Sequence, residues 1–264
     1  MSSKNTIAAR SPDSGSPVIG LVSLRAREAV LALWLFSFVW PGAALDYVVI
    51  AVWVDRSPRV IVTIKVLDVF RLFTTYQNGL RMVELSALAW SEDEQLLYAL
   101  SDHGSVFHFR PSFLIQRLRA IELVNAYPLR DPSGDALGYP YSDSEGLSLR
   151  NADNGIPGDD ELLISFENKP RLQWHRADGS YLRHEPLPSP MEKRSAYHRR
   201  GKALESVVIH PEIGIITAPE YPLEDSEWDQ LTLYTTDGRR FLLPRDAAED
   251  FALCALELMP DGNL

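Results

Sequence analysis

The sequence predicts an all-β fold built from repeated antiparallel hairpin units, and three observations predict it. Four short blocks align by eye: Ser86-Ala-Leu-Ala-Trp90, Glu145-Gly-Leu-Ser-Leu149, Glu205-Ser-Val-Val-Ile209 and Cys254-Ala-Leu-Glu-Leu258. Their small second residues fall at 87, 146, 206 and 255, in steps of 59, 60 and 49 residues. After three of the blocks, a polar gap leads to a second apolar run and then to an acid. These runs are Leu96–Leu100 with Asp102, Leu162–Phe166 with Glu167, and Gly214–Ala218 with Glu220. A fixed period of hairpins separated by turn residues is the signature of a β-repeat array, most often a β-propeller.

The elements follow in chain order. Residues 1–24 are polar, with Ser, Pro and Gly early on, and are expected to be disordered. Arg25 and Arg27 precede the apolar run Ala29–Trp40, and Pro41-Gly-Ala-Ala44 follows. A basic flank, a short apolar core and small residues at a cleavage point make an export signal. The division expected is a leader over 1–44 and a β-domain over 45–264. The rival is an uncleaved membrane anchor over residues 29–54, interrupted by Pro41 and Asp46; a third reading is a buried helix. The first two send the domain to the periplasm or out of the cell.

Val60–Val66 reads as a lead-in strand, and Tyr76-Gln-Asn-Gly carries an Asn-Gly turn. Leu96–Leu100 and Val106–Phe109 make a hairpin across His103-Gly104, and Phe113–Val124 reads as strand. Residues 131–144 are a Gly- and Pro-rich loop feeding the hairpin Gly146–Leu149 and Glu161–Phe166. Leu172–Arg176 and Tyr181–Glu185 flank a turn at Asp178-Gly, and Leu231–Thr235 and Arg240–Leu243 flank one at Asp237-Gly. Residues 186–203 form a long basic loop, and Ala247–Phe251 reads as one helical turn. The Cys254–Leu258 block lacks the second run that follows the other three. The expectation is an incomplete propeller of about four repeats.

Composition narrows function. The chain has 264 residues, net charge −10, 45% hydrophobic and 23% charged residues. That is an ordinary globular composition, and its acidity argues against nucleic acid as a partner. The single cysteine, Cys254, excludes an intramolecular disulfide and a cysteine-based metal cage. No phosphate loop, dinucleotide fingerprint or Gly-x-Ser-x-Gly elbow occurs.

The acids carry the chemical reading. Propeller blades present the same strand end to the central channel, so Asp102, Glu145, Glu167, Glu205 and Glu220 are expected to converge there. Crowded carboxylates tolerate one another only with a cation, basic neighbours or raised pKa values. Calcium takes six to eight oxygen ligands, so these five acids are the candidate calcium ligands. Lys169 and Arg171 follow Glu167, and Lys202 precedes Glu205; these three are candidates for binding an anionic substrate. Glu145 and Glu167 flank the ends of one hairpin and are the candidate catalytic pair.

At these residues the chain resembles a known family. Glu84-Leu-Ser-Ala-Leu-Ala-Trp, Leu97-Tyr-Ala-Leu-Ser-Asp-His-Gly, Asp143-Ser-Glu-Gly-Leu, Ser165-Phe-Glu and Lys202-Ala-Leu-Glu-Ser look like the phytase-like domain described as "esterase-like activity of phytase". The resemblance runs from about Val66 to Leu264. It implies an exported bacterial propeller of six blades, and it implies that Glu145, Glu167, Glu205 and Glu220 match recurring acids of the family. The Asp-Asp-Pro-Ala type signature of true β-propeller phytases is not found, which sets phytate hydrolysis itself apart. The expected function is hydrolysis of phosphate or carboxylate esters; the alternative is a non-catalytic binding propeller of the periplasm or cell surface.

Overall fold

The computed structural model describes residues 19–26, 29–38, 46–55, 63–115, 117–198, 203–244, 252–259, 262 and 264, those before 68 as backbone alone. Four four-stranded antiparallel sheets account for almost all of its regular structure. The first is a meander of β1 (Ile19–Ala26), β2 (Ala29–Phe38), β3 (Asp46–Asp55) and β4 (Thr63–Phe73). The expected leader overlaps β1 and β2 and otherwise lies outside the described residues. Among the described residues no helix is long and apolar enough to cross a membrane.

A two-residue hairpin follows, β5 (Tyr76–Gln77) and β6 (Leu80–Arg81). Its turn needs positive φ at both central residues, which Asn78 (53°) and Gly79 (79°) supply. The second sheet runs β7 (Leu85–Ser91), β8 (Leu96–Ser101), β9 (Ser105–Leu114) and β10 (Arg117–Pro128). The stretch expected as one strand over Phe113–Val124 is therefore the tip of a hairpin, with Ile115 at φ 49°. The third sheet is β11 (Ser144–Arg150), β12 (Glu161–Phe166), β13 (Arg171–Arg176) and β14 (Tyr181–Glu185). The fourth is β15 (Leu204–His210), β16 (Gly214–Pro219), β17 (Gln230–Thr235) and β18 (Arg240–Pro244). Two short 3-10 turns, Ser189–Met191 and Arg194–Ala196, lie in the long loop before β15.

The apolar runs are continuous rather than alternating because the sheets stack face to face. Leu97, Ala99 and Phe107 face Phe70 and Leu72 of the first sheet. The intervening Leu96, Tyr98, Leu100 and Val106 face Leu147, Leu162, Ile164 and Phe166 of the third. Leu163, Leu172 and Trp174 then pack on Leu204, Val207 and Ile215 of the fourth. A strand covered on both faces needs apolar residues at successive positions. Trp174 is fully buried, donates to Glu185 Oε2 at 2.8 Å, and has the guanidinium groups of Arg150 and Arg183 at 4.0 and 4.3 Å from its ring centre.

The first strand of each sheet stands beside the first strand of the next: β1 by β7, β7 by β11, β11 by β15. This is the arrangement of propeller-like blades. Beyond β15, Leu253, Leu256 and Leu258 pack on Val208, Ile216, Ala218 and Leu233. The expected strand Cys254–Leu258 thus lies beside β15, yet it joins no ladder among the described residues, and an unpaired segment is not a strand. The expected helical turn at Ala247–Phe251 lies outside the described residues.

Candidate functional site: an acidic centre at the strand bulges

One irregularity recurs in all three inner strands of the second, third and fourth sheets. The pairing register slips between Leu85 and Ala87, between Ser144 and Gly146, and between Leu204 and Ser206. Each slip is a β-bulge, which leaves one residue outside the ladder and re-aims its side chain. Those residues are Ser86, Glu145 and Glu205. The partner strand also ends alike each time: the N–H of Asp102, Glu167 and Glu220 donates to the C=O of Glu84, Asp143 and Ala203 at 3.1, 2.9 and 2.8 Å. Repeated backbone geometry therefore brings bulge acids and strand-end acids to one rim.

The five acids singled out from sequence do gather there, in two groups rather than at one point. Carboxylate oxygens of Asp102, Asp143 and Glu145 lie within 4.8 Å of one another, and so do those of Glu167, Glu205 and Glu220. Burial pushes the Glu145 carboxyl well above its ordinary range, and the charges of Glu205, Glu167, Asp143 and Asp102 push it further. Glu145 thus joins the two groups electrostatically. It lines a small, partly open cleft with Ser86, Gly146, Glu205, Ser206 and Cys254.

The acids are held firmly. Glu167 is 6% exposed and accepts the Ala203 N–H at 2.8 Å on Oε1; Glu220 is 3% exposed. Asp143 accepts the Asn168 N–H at 3.0 Å and shares a hydrogen bond with Glu167, but burial still raises its pKa. Asp102 is pushed up to about 8, first by burial and then by the charge and hydrogen bond of Glu84 and the charge of Asp143. Its Oδ1 is buried with no hydrogen-bond partner. On the outer side, His103 Nε2 lies 2.8 Å from Glu84 Oε2 and 3.7 Å from Asp102 Oδ1.

The expected basic residues divide. Lys169 is exposed, with Nζ 5.9 Å from the Tyr141 ring centre. Arg171 stacks on Phe166 at 3.7 Å and donates to the carbonyls of Lys169 and Tyr141; burial lowers its pKa to about 10, against the pull of Tyr141 and Asp143. Lys202 lies outside the described residues. Sequence reasoning missed Asp143 and Glu84. The signal was available, because both stand two residues before an aligned bulge position, at Glu145 and Ser86.

Either group could hold a metal ion. The donors are all oxygen, which suits a hard cation, and a buried oxygen on Asp102 that lacks a hydrogen bond fits such a ligand.

A sequence model of the phytase-like family, described as "Esterase-like activity of phytase", matches residues 81–264. The chain belongs to the phytase-like family. The match spans β7 to the C-terminal segment and so contains both acid groups of the phytase-like domain. No curated protein matches the chain in sequence. Two solved structures, "COPII on membranes, outer coat vertex" and "The structure of the COPII coat assembled on membranes", each align over 87% of this chain at TM-score 0.41 and 10% identity. The chain spans 65% and 36% of those two chains.

Proposed function

We propose that the second, third and fourth sheets are blades of an exported propeller whose acidic centre is the active site of an ester hydrolase working with calcium. The observation that carries this reading is Glu145, a bulge carboxyl of the first acid group whose pKa is raised by the charges of the second. Asp102, Asp143 and Glu145, or Glu167, Glu205 and Glu220, would hold the cation. Bound there, calcium supplies Lewis-acid activation and charge neutralisation.

The chain's own groups then divide the proton work. Burial and the neighbouring acids favour the protonated form of Glu145, so with the cation held by Glu167, Glu205 and Glu220 it can donate to the departing alkoxide. Glu167, fixed by the Ala203 N–H, can accept the proton of the attacking water. Water adds to phosphorus or carbonyl carbon, the ester C–O or P–O bond breaks, and the alcohol leaves with the proton from Glu145. Lys169, exposed two residues after Glu167, would attract an anionic ester. Residues 1–44 serve as the export leader in this proposal, and residues 29–54 anchor the protein if the leader is not removed.

A second reading, a non-catalytic binding propeller, draws on one observation. The Arg171 guanidinium is already committed to Phe166 and to two carbonyls. Purified full-length protein assayed on glycerol 2-phosphate and ethyl butyrate, whose alkoxide leaving groups need a proton, separates the two. The hydrolase reading expects turnover, lost on chelation and reduced at least about 100-fold in Glu145→Gln, as for loss of an acid–base group. Turnover unchanged in Glu145→Gln removes its role, and no turnover on any ester favours the binding propeller.

A further inference from the structure

The hairpin of β9 and β10 ends with apolar residues in the open. Its last ladder pair is Leu114 with Arg117. Phe113 is exposed, Leu114 is 55% exposed and Ile115 is 89% exposed. Leu118, paired with Phe113, is still buried in the core of the second sheet, so the hairpin leaves the core only at its tip. Ile115 is the informative residue. Its φ of 49° lies in the left-handed region, which suits Gly or Asn and disfavours a β-branched side chain. Its exposure brings no packing in return. Solubility and backbone preference are both set aside at one residue with no gain inside the fold, and such a position points to a use outside it.

Charge indicates which use. The chain has net charge −10, yet the charged side chains of β9 and β10 are Arg110, Arg117, Arg119 and Glu122, all exposed. Glu122 stands opposite Arg110 in the ladder. Asp68 of β4 is mostly buried beneath Arg117, accepting from its Nε at 2.9 Å and from the Leu118 N–H at 2.9 Å, so the hairpin is braced just behind its tip. The result is a protruding apolar point with a basic collar. Such a point suits the acyl boundary of a bilayer, and the ladder up to Leu114 keeps the backbone paired there. Arginines behind it are at the level of lipid phosphates.

We propose that the β9–β10 tip docks this chain on an anionic bilayer surface. Phe113, Leu114 and Ile115 enter the interface, and Arg110 and Arg119 meet lipid phosphates. This docking is independent of the ester-hydrolase reading and of residues 29–54.

The test is flotation of the full chain with vesicles of phosphatidylcholine alone and of phosphatidylcholine with about one-quarter phosphatidylglycerol. Wild type is expected to float with the anionic vesicles, less with phosphatidylcholine alone, and less as salt rises. Ile115→Asn is expected to lower the partition coefficient at least about tenfold, as for one aliphatic side chain no longer buried. Arg119→Gln is expected to lower it about fivefold on anionic vesicles only. The melting temperature of Ile115→Asn should match or exceed that of wild type, because asparagine tolerates a φ of 49°. A lower melting temperature shows that the isoleucine serves the fold and overturns the proposal. Equal flotation of wild type and Ile115→Asn overturns it in favour of residues 29–54 or another surface. Equal flotation with both lipids overturns the anionic recognition. Wild type that floats with neither vesicle overturns the proposal and leaves the tip to a protein partner.

Discussion

Replacing Asp102 with asparagine should stabilise the metal-free protein at neutral pH. In the fold its carboxyl is pushed up to about 8 from an ordinary 3.8, so at pH 7 it is held protonated, whereas the unfolded chain ionises it. A shift of about 3 units across that interval corresponds to about 4 kcal/mol. The side chain is 29% exposed, and solvent screening reduces the figure to about 2 kcal/mol. The sign follows from a folded-state pKa above the unfolded one. The contribution is fully present below pH 3.8 and is lost as pH rises towards 8. Asparagine keeps a donor for Glu84 and carries no charge beside Glu84 and Asp143, so residue 102's share of the fall in stability over that range is removed while that of Glu145 and Asp143 remains. Urea denaturation in EDTA at pH 5 to 8 reads the effect directly. The variant's midpoint should exceed wild type by about 0.5–1 M at pH 7, with a gap that grows with pH. A variant less stable than wild type at pH 7, or one with the wild-type pH slope, would refute the reasoning.

Other substitutions probe the frame around the centre. Tyr98, 1% exposed, donates its hydroxyl to Asp160 Oδ2 at 2.6 Å across the second and third sheets; Tyr98→Phe should lower unfolding free energy by about 1–3 kcal/mol in urea melts. Gly104 holds φ +73° and its Cβ would come within 2.8 Å of Ser142 Cβ, so Gly104→Ala should cost about 1–3 kcal/mol, read as a lower melting temperature. Arg171→Ala should destabilise, because it uncovers Phe166, whereas Lys169→Ala should leave the melt unchanged and raise KM for anionic esters. Trp174→Ala removes a fully buried ring and its bond to Glu185, and should cost about 3–5 kcal/mol.

Much of the frame was legible because turn chemistry is local. Asn78-Gly79, His103-Gly104, Asp178-Gly179 and Asp237-Gly238 each close a hairpin as their types require, with glycine at positive φ. The Glu161–Phe166 and Tyr181–Glu185 strands have the bounds read from sequence. The aligned second residues at 87, 146 and 206 proved to follow three equivalent bulges. What the sequence could not show was how the acids pair. Period alone makes Asp102, Glu145, Glu167, Glu205 and Glu220 equivalent in kind, so one common point was the natural expectation. Bulge and strand-end residues come from different strands, and the seam between sheets decides which carboxylates meet. Asp143 enters that way, from the residue just before β11. Cys254–Leu258 shows the limit of apolar pattern: the residues pack as expected on Val208 and Ile216, but pairing needs a neighbour that pattern alone does not supply.

The central claim is that these carboxylates take up a calcium-like cation. Crystals grown with terbium, which reports a calcium site by anomalous scattering, test it most directly. The account predicts one strong peak about 2.3–2.6 Å from carboxylate oxygens of Asp102, Asp143 and Glu145 or of Glu167, Glu205 and Glu220, absent from Glu145→Gln and Glu205→Gln crystals at the respective group. A map with no peak at either group, the acids instead paired with basic side chains, would contradict it.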